Sequence, residues 1–169
     1  MQSSHDNPYY RKNIINKLTK YVEQNEKYVL FVCDSGFGVI DELKARFPDR
    51  VHNAGIMEQG TVGIAAGMAQ AGMIPIVYSI VNFLAFRSIE QIRNDIVLEG
   101  LNVKLIATGV NNYFKFLGQS HCCDEDDKRI MEMIGMQVYD PYETMPSEEE
   151  YDALVDEWIT SDKPGYIRV

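Results

Sequence analysis

Positive charge is scarce in this chain. Its 16 Lys and Arg stand against 25 Asp and Glu, a formal net charge of −9. A surface that holds phosphate backbones needs clustered cations, so the balance argues against nucleic acid as a partner. Cysteine is scarce too: Cys33, Cys122 and Cys123 make an odd count, two of them adjacent, with no CxxC pair. Neither a disulfide framework nor a structural zinc site is indicated. No stretch is long and apolar enough to span a bilayer, and the N-terminus lacks the apolar core of a signal peptide. These absences lead us to expect a cytoplasmic protein with reduced thiols and no membrane partner. No internal repeat or low-complexity linker is visible, and no Gly-rich loop of the kind that cradles phosphates.

What is present is ordinary for a folded domain: 169 residues, 46% hydrophobic and 24% charged. That length suits one domain over residues 1–169 with one sizeable core. The acids gather late, in DEDD (124–127) and SEEEYD (147–152), as solvated faces and helix starts do.

Two kinds of segment alternate. Residues 8–25 carry helical periodicity, with Ile14, Ile15, Leu18 and Val22 on one face. Asn7 before Pro8 fits an N-cap followed by proline at the first helical position. YVLFVCD (28–34) reads as a strand buried on both faces. A loop DSGFG (34–38), a short helix (41–48), a strand (50–55), a helix (57–71) and a strand IPIVYSI (74–80) follow. One long helix is expected over 82–99, then a strand (103–110) and a loop to Cys123. A helix (124–134), a strand MQVYDP stopped by Pro141, a helix (147–162) and a strand (166–169) close the chain. This alternation predicts an α/β fold: a parallel β-sheet of about six strands with helices on both faces. Ligands of such sheets bind beyond the carboxyl ends of the strands. DSGFG, GIMEQ, YSIVNF and GQSHCC all fall at that edge.

HNAGIMEQGTVGIAAG (52–67) poses the sharpest question. Glu58 stands where a strand gives way to a helix, and an acid there gains roughly 0.3–1 kcal/mol from the helix dipole alone. Gly60, Gly63 and Gly67 share one face. Each costs roughly 1 kcal/mol of helix propensity against Ala, so close backbone approach by a neighbour is expected. That neighbour is either an element of the same domain or another subunit.

The stretch HNAGIMEQGTVGIAAGMAQAGMIPIVYSIVNFLAFRSIEQIRNDI closely resembles the pyrimidine-binding domain of transketolase-type enzymes, a group that includes deoxyxylulose-phosphate synthase and the beta-type subunits of 2-oxoacid dehydrogenases. FPDRVHNAGIMEQ matches the family's PDR…GI-x-EQ signature. GIAAGMAQAGMIPIVYS, FLAFRSIEQIRNDI, LGQSHCCDEDDKRIM and DKPGYIRV match the segments that follow it, in order, over essentially the whole chain.

The resemblance implies thiamine diphosphate as cofactor. It gives Glu58 the hydrogen bond to a ring nitrogen of the aminopyrimidine, where a shared proton favours the imino form that deprotonates the thiazolium carbon. Such a carboxyl is expected in a dry site with a raised pKa. Phe83 and Phe86 are implied to pack on the pyrimidine ring, with Ile56 of GI-x-EQ beside it. Aromatics three apart on a helix are usually core, and that is the plain reading of both. His121, with Gly118, Ser120 and Glu125 around it, is implied to face the reacting end of the cofactor. Asp34 and Gly36 are implied to approach the thiazolium side, although their residue types also suit a plain turn. Ile89 stands where several transketolases carry Tyr, and Cys122 and Cys123 depart from the pattern after the His. Gln91, Arg93 and Asn94 fit the family or a plain polar face. His52 is read as structural.

Family members bind the diphosphate through Mg2+ on a separate domain with a GDG…N motif, and no GDG occurs here. The resemblance therefore implies half a cofactor site. A diphosphate-binding subunit would complete it, in a two-plus-two hetero-oligomer, and the family's C-terminal domain would be absent. The reaction implied is two-carbon or acyl transfer from a ketose or 2-oxoacid to a carbonyl acceptor. A two-subunit decarboxylase or synthase, or a regulatory subunit of the same fold, are the alternatives.

Overall fold

The expected alternation is realised in a computed structural model that describes residues 9–36 and 38–169. The strands are β1 (Tyr28–Val32), β2 (Val51–Asn53), β3 (Ile74–Ile80), β4 (Lys104–Thr108), β5 (Gln137–Tyr139) and β6 (Gly165–Arg168). They form one sheet in the order β2-β1-β3-β4-β6-β5, every pair parallel. Parallel neighbours need crossover connections, and these supply the covering helices. The helices are α1 (Tyr9–Gln24), α2 (Asp41–Arg46), α3 (Glu58–Gln70), α4 (Val81–Arg87), α5 (Ile89–Gln91), α6 (Asp126–Met133), α7 (Pro141–Thr144) and α8 (Glu148–Thr160).

Strand alternation sorts the core into two layers. Leu30, Ile76, Ile106 and Ile167 face α1, α2 and α8, where Ile14, Leu18, Leu43, Val155 and Trp158 are buried. Val77, Leu105, Ala107 and Tyr166 face the other way, against Val62 and Ala65 of α3, Leu84 of α4 and Met131 of α6. The start of α8 is fixed by a capping box: Glu150 N–H donates to the Ser147 side chain, and the Glu150 carboxylate accepts from Ser147 N–H.

The long helix expected over 82–99 is not one helix. The chain leaves helical geometry at Ser88 (φ −112°, ψ 11°) after α4 and resumes in the single turn α5. It then widens into a π-helical segment, Ile92–Val97. Ser88, Ile92 and Ile96 are all fully buried, and the bend and the wider turn hold them against the core at once. The expected loop before Cys123 contains two 3₁₀ turns, Lys115–Leu117 and Gln119–His121. Helix α7 was not expected, yet Asp140 caps it by accepting from Tyr142 N–H, with Pro141 at its first position. The proposed Asn7 cap and Phe37 of DSGFG lie outside the described residues. Among the described residues no helix is long and apolar enough to cross a membrane.

Candidate active site

From β1 the chain crosses to β2 on one side, then returns past β1 to β3 on the other. The sheet therefore has its switch point between β1 and β3, where a crevice opens at the carboxyl ends. Glu58 sits there. It opens α3 after a tight turn in which Met57 N–H donates to Gly55 O. Ser79, near the end of β3, donates through Oγ to Glu58 Oε1 at 3.1 Å. Arg87, the last residue of α4, donates through Nη1 to Oε2 at 2.7 Å. Glu58 is only 2% exposed, so this carboxylate is buried, and it is held from two sides. Cys33, just past β1, lies beside it. Burial pushes that thiol up to about 11, a bond with Thr61 opposing and the Glu58 charge adding to the rise. It is a neutral filler at physiological pH.

From Glu58 the contacts run outward. The Arg87 guanidinium stacks over the Phe83 ring, 4.2 Å from its centroid. The Phe83 ring meets the His121 imidazole edge to face, centroids 5.0 Å apart at 76°. Ser120 Oγ and His121 Nδ1 are 3.0 Å apart. A cavity of about 290 Å³ lies over the carboxylate, lined by Ile56, Met57, Glu58, Gln59, Gly60 and Arg87. Phe86 is exposed beyond Phe83, and Ile56 is exposed at the rim. A wider hollow of about 780 Å³, beside Val138 and Pro164, contains neither Glu58 nor His121.

The His121 loop is anchored on both sides. Asn82 Nδ2, after β3, donates to Cys122 O at 2.8 Å. Arg168 Nη2, at the end of β6, donates to Asp124 O at 3.0 Å. Arg168 also meets both oxygens of Asp127, at 3.0 and 3.1 Å, and Asp140 at 2.5 Å. Tyr166 donates to Asp127 Oδ2 at 2.9 Å. Cys123 belongs to this buried network, its thiol pushed up to about 12 by burial, with the Asp127 charge adding to the rise.

The sequence candidates thus divide. Glu58, Phe83 and His121 form one continuous set, joined through Arg87, with Ile56 and Phe86 at its margin. Asp34 and Gly36 lie to the side, on the loop after β1. Asp34 is exposed, and its N–H donates to Asn53 Oδ1 at 3.2 Å. Gly36 has φ of +80°, and a Cβ there would stand 3.3 Å from Tyr78 Cε1. His52 is exposed on β2 and packs against the Phe31 ring. Arg93 and Asn94 bond each other on the surface. On α3, a Cβ at Gly63 or Gly67 meets nothing within 4 Å, and one at Gly60 meets only Met57 Cε. Close packing inside the domain is therefore not the reason for this small-residue face. Among the described residues no group of three His, Cys, Asp or Glu suits a metal ion.

Ser79, Asn82 and Arg87 escaped the sequence reading. Ser79 shares the sheet face of Val77, and Arg87 ends a helix, where a cation is favourable anyway. Only the fold shows that both point at Glu58.

Comparison with known proteins places the chain in one family. The family described as "Transketolase, pyrimidine binding domain" matches residues 7–169. The chain is 34% identical over 158 residues to an apulose-4-phosphate transketolase subunit of Actinobacillus succinogenes, covering 92% of this chain and 49% of that protein. It is 25% identical over 160 residues to the 6-deoxy-6-sulfo-D-fructose transketolase subunit SqwH of Clostridium sp. (strain MSTE9), covering 94% and 48%. Among solved structures, a split gene transketolase in an inactive beta4 tetramer superposes with a TM-score of 0.79 at 32% identity, covering 94% of this chain and 50% of that one. The chain spans about half the length of these curated relatives.

Proposed function

This chain belongs to the transketolase pyrimidine-binding-domain family, and we propose that it is the pyrimidine-domain subunit of a split, thiamine diphosphate-dependent transketolase-like enzyme. The observation that carries the reading is the buried Glu58 carboxylate at the β1/β3 switch point, with the Phe83 face and the His121 imidazole beside it.

The residues fit the cofactor's pyrimidine end. A flat heteroaromatic ring needs an apolar face and one directional polar partner. The cavity over Glu58 offers the carboxylate, and Phe83 with Phe86 offers aromatic surface. When bound, thiamine diphosphate supplies the electron sink for making and breaking carbon–carbon bonds next to a carbonyl. This chain's own residues do the rest. Glu58 holds a ring nitrogen and shares a proton at its carboxyl oxygen, with Ser79 fixing that carboxyl. Phe83 and Phe86 orient the ring, and Ile56 keeps water off its edge. His121, set by Phe83 and Ser120, exchanges protons with substrate oxygens at the open side. Asp34 and Gly36 line the thiazolium side.

The diphosphate and Mg2+ fall to a partner subunit carrying GDG…N, in a two-plus-two cytoplasmic assembly whose close helix crossing uses the open Gly face of α3. Relatives named as transketolase subunits support a divided enzyme, and the inactive beta4 tetramer of one neighbour supports the need for a second kind of chain. The reaction class is transfer of a two-carbon or acyl unit from a ketose or 2-oxoacid to a carbonyl acceptor.

Tagged chain isolated from its native cells should bring down the GDG…N partner in stoichiometric amount. The complex should turn over with thiamine diphosphate and Mg2+, and Glu58→Ala should abolish that turnover. A Glu58→Ala complex with near-parental turnover would sink the assignment. A chain with no such partner would move the regulatory alternative to the front.

A further inference from the structure

Arg87 makes two contacts that the proposed function gives to a ligand. Its guanidinium donates to Glu58 Oε2 at 2.7 Å, and the same planar group lies over the Phe83 ring at 4.2 Å. A hydrogen bond to that carboxylate and a stack on that aromatic face are what an aminopyrimidine ring would need. Guanidinium suits such mimicry, because it is flat, rich in donors and stacks well on aromatic rings.

The two partners differ in freedom. The Glu58 side chain is 1% exposed, whereas that of Arg87 is 46% exposed. The carboxylate is fixed at the helix start by Ser79, but the arginine reaches it from the outer edge, across the cavity wall that it shares with Met57 and Gln59. Arg87 is also the last residue of α4, directly before the bend at Ser88. A buried carboxylate with no cationic partner is costly, and Arg87 supplies that partner to Glu58. It is also placed to leave without disturbing the core.

We propose that Arg87 is an internal stand-in for the aminopyrimidine: in the free chain it occupies the Glu58–Phe83 pair, and it swings into solvent when the ring enters. This rests on the reading that Glu58 and Phe83 receive that ring. The device keeps the carboxylate neutralised before the site is complete. It also makes Arg87 a competitor of the cofactor rather than one of its ligands.

The test titrates thiamine into the isolated chain by calorimetry and NMR, with Arg87→Met to keep the stem and remove the donors. Removing a competitor raises apparent affinity by the reciprocal of the fraction of sites it had left free. Arg87→Met should therefore bind thiamine roughly three- to tenfold more tightly than the parent. In the parent, saturation should move the Arg87 Nε–H signal to the position of a free arginine. Adding Glu58→Ala should remove the gain. Equal or weaker binding by a normally folded Arg87→Met chain, or none, overturns the stand-in and makes Arg87 a support for the site. The separate failure, binding indifferent to Glu58→Ala in both backgrounds, would instead count against the site reading itself.

Discussion

Arg168, at the end of β6, and Asp127, in the first turn of α6, form a two-pronged pair with both side chains essentially inaccessible, Nε to Oδ2 at 3.0 Å and Nη2 to Oδ1 at 3.1 Å. The pair ties the last strand to the helix that follows the His121 loop. Removing one member of a buried ion pair costs about 3–5 kcal/mol, because the other charge is left without its partner. Asp127→Ala should fall in that range by urea denaturation, toward the lower end because Asp140 still holds Arg168. A loss under about 1 kcal/mol, the range of exposed pairs, would show that the network relaxes around the gap.

Lys104 opens β4 in a fully buried position, its Nζ donating to Ser161 O and Lys163 O. Burial lowers its pKa from 10.5 to about 8. The sign follows directly. Between those values the unfolded chain holds a proton that the folded chain has released, so stability rises with pH across that window. Below pH 8 both states are protonated and the buried charge carries its full cost. Compared with Lys104→Met, the parent should gain stability between pH 8 and 10.5 in parallel urea titrations. Parallel curves across that range would rule out a depressed Lys104.

Much of the scaffold was legible because it is written in local periodicity. IPIVYSI is a strand over the same residues in structure as in sequence, 74–80, and Ile14, Ile15, Leu18 and Val22 all point inward. The break at Ser88 was not legible: Leu84, Ala85, Ile92 and Ile96 are spaced as one helix would space them. What bends the chain is the burial of Ser88, a tertiary demand with no local sign. The site divides the same way. Glu58 is marked by its motif, whereas Arg87 reaches it from 29 residues away and Arg168 reaches Asp127 from 41. Such pairs have no period to betray them. Helix α7 is a different case, since Asp140 before Pro141 is a readable start signal.

Gly67 separates the demands of the single chain from those of an assembly. A Cβ there meets nothing within 4 Å, and the backbone is helical. Gly67→Ala should therefore stabilise the isolated chain by about 0.5–1 kcal/mol, through helix propensity and a less flexible unfolded state. If another subunit's backbone crosses α3 closely, the same methyl should weaken association. Thermal melts and analytical ultracentrifugation on one preparation give both readings. A chain that becomes more stable and associates as before would take the subunit crossing away from this face.

Asn82 tests whether the His121 loop is held for chemistry or merely held. Its Nδ2 donates to Cys122 O at 2.8 Å, while its Oδ1 is buried with no protein partner. Asn82→Ala removes one hydrogen bond and also relieves that unpaired oxygen, so the net cost to stability should be small, about 1 kcal/mol or less. The cost to turnover should be larger. The loop carries the imidazole to which the proposed function gives proton exchange, and a reacting group displaced by about 1 Å can lose on the order of 100-fold. In the complete enzyme kcat should fall by about tenfold or more with little change in KM, and the His121 ring signals should broaden. Unchanged kcat with a small loss of stability would reduce Asn82 to a structural tether and loosen the tie between this loop and the reaction.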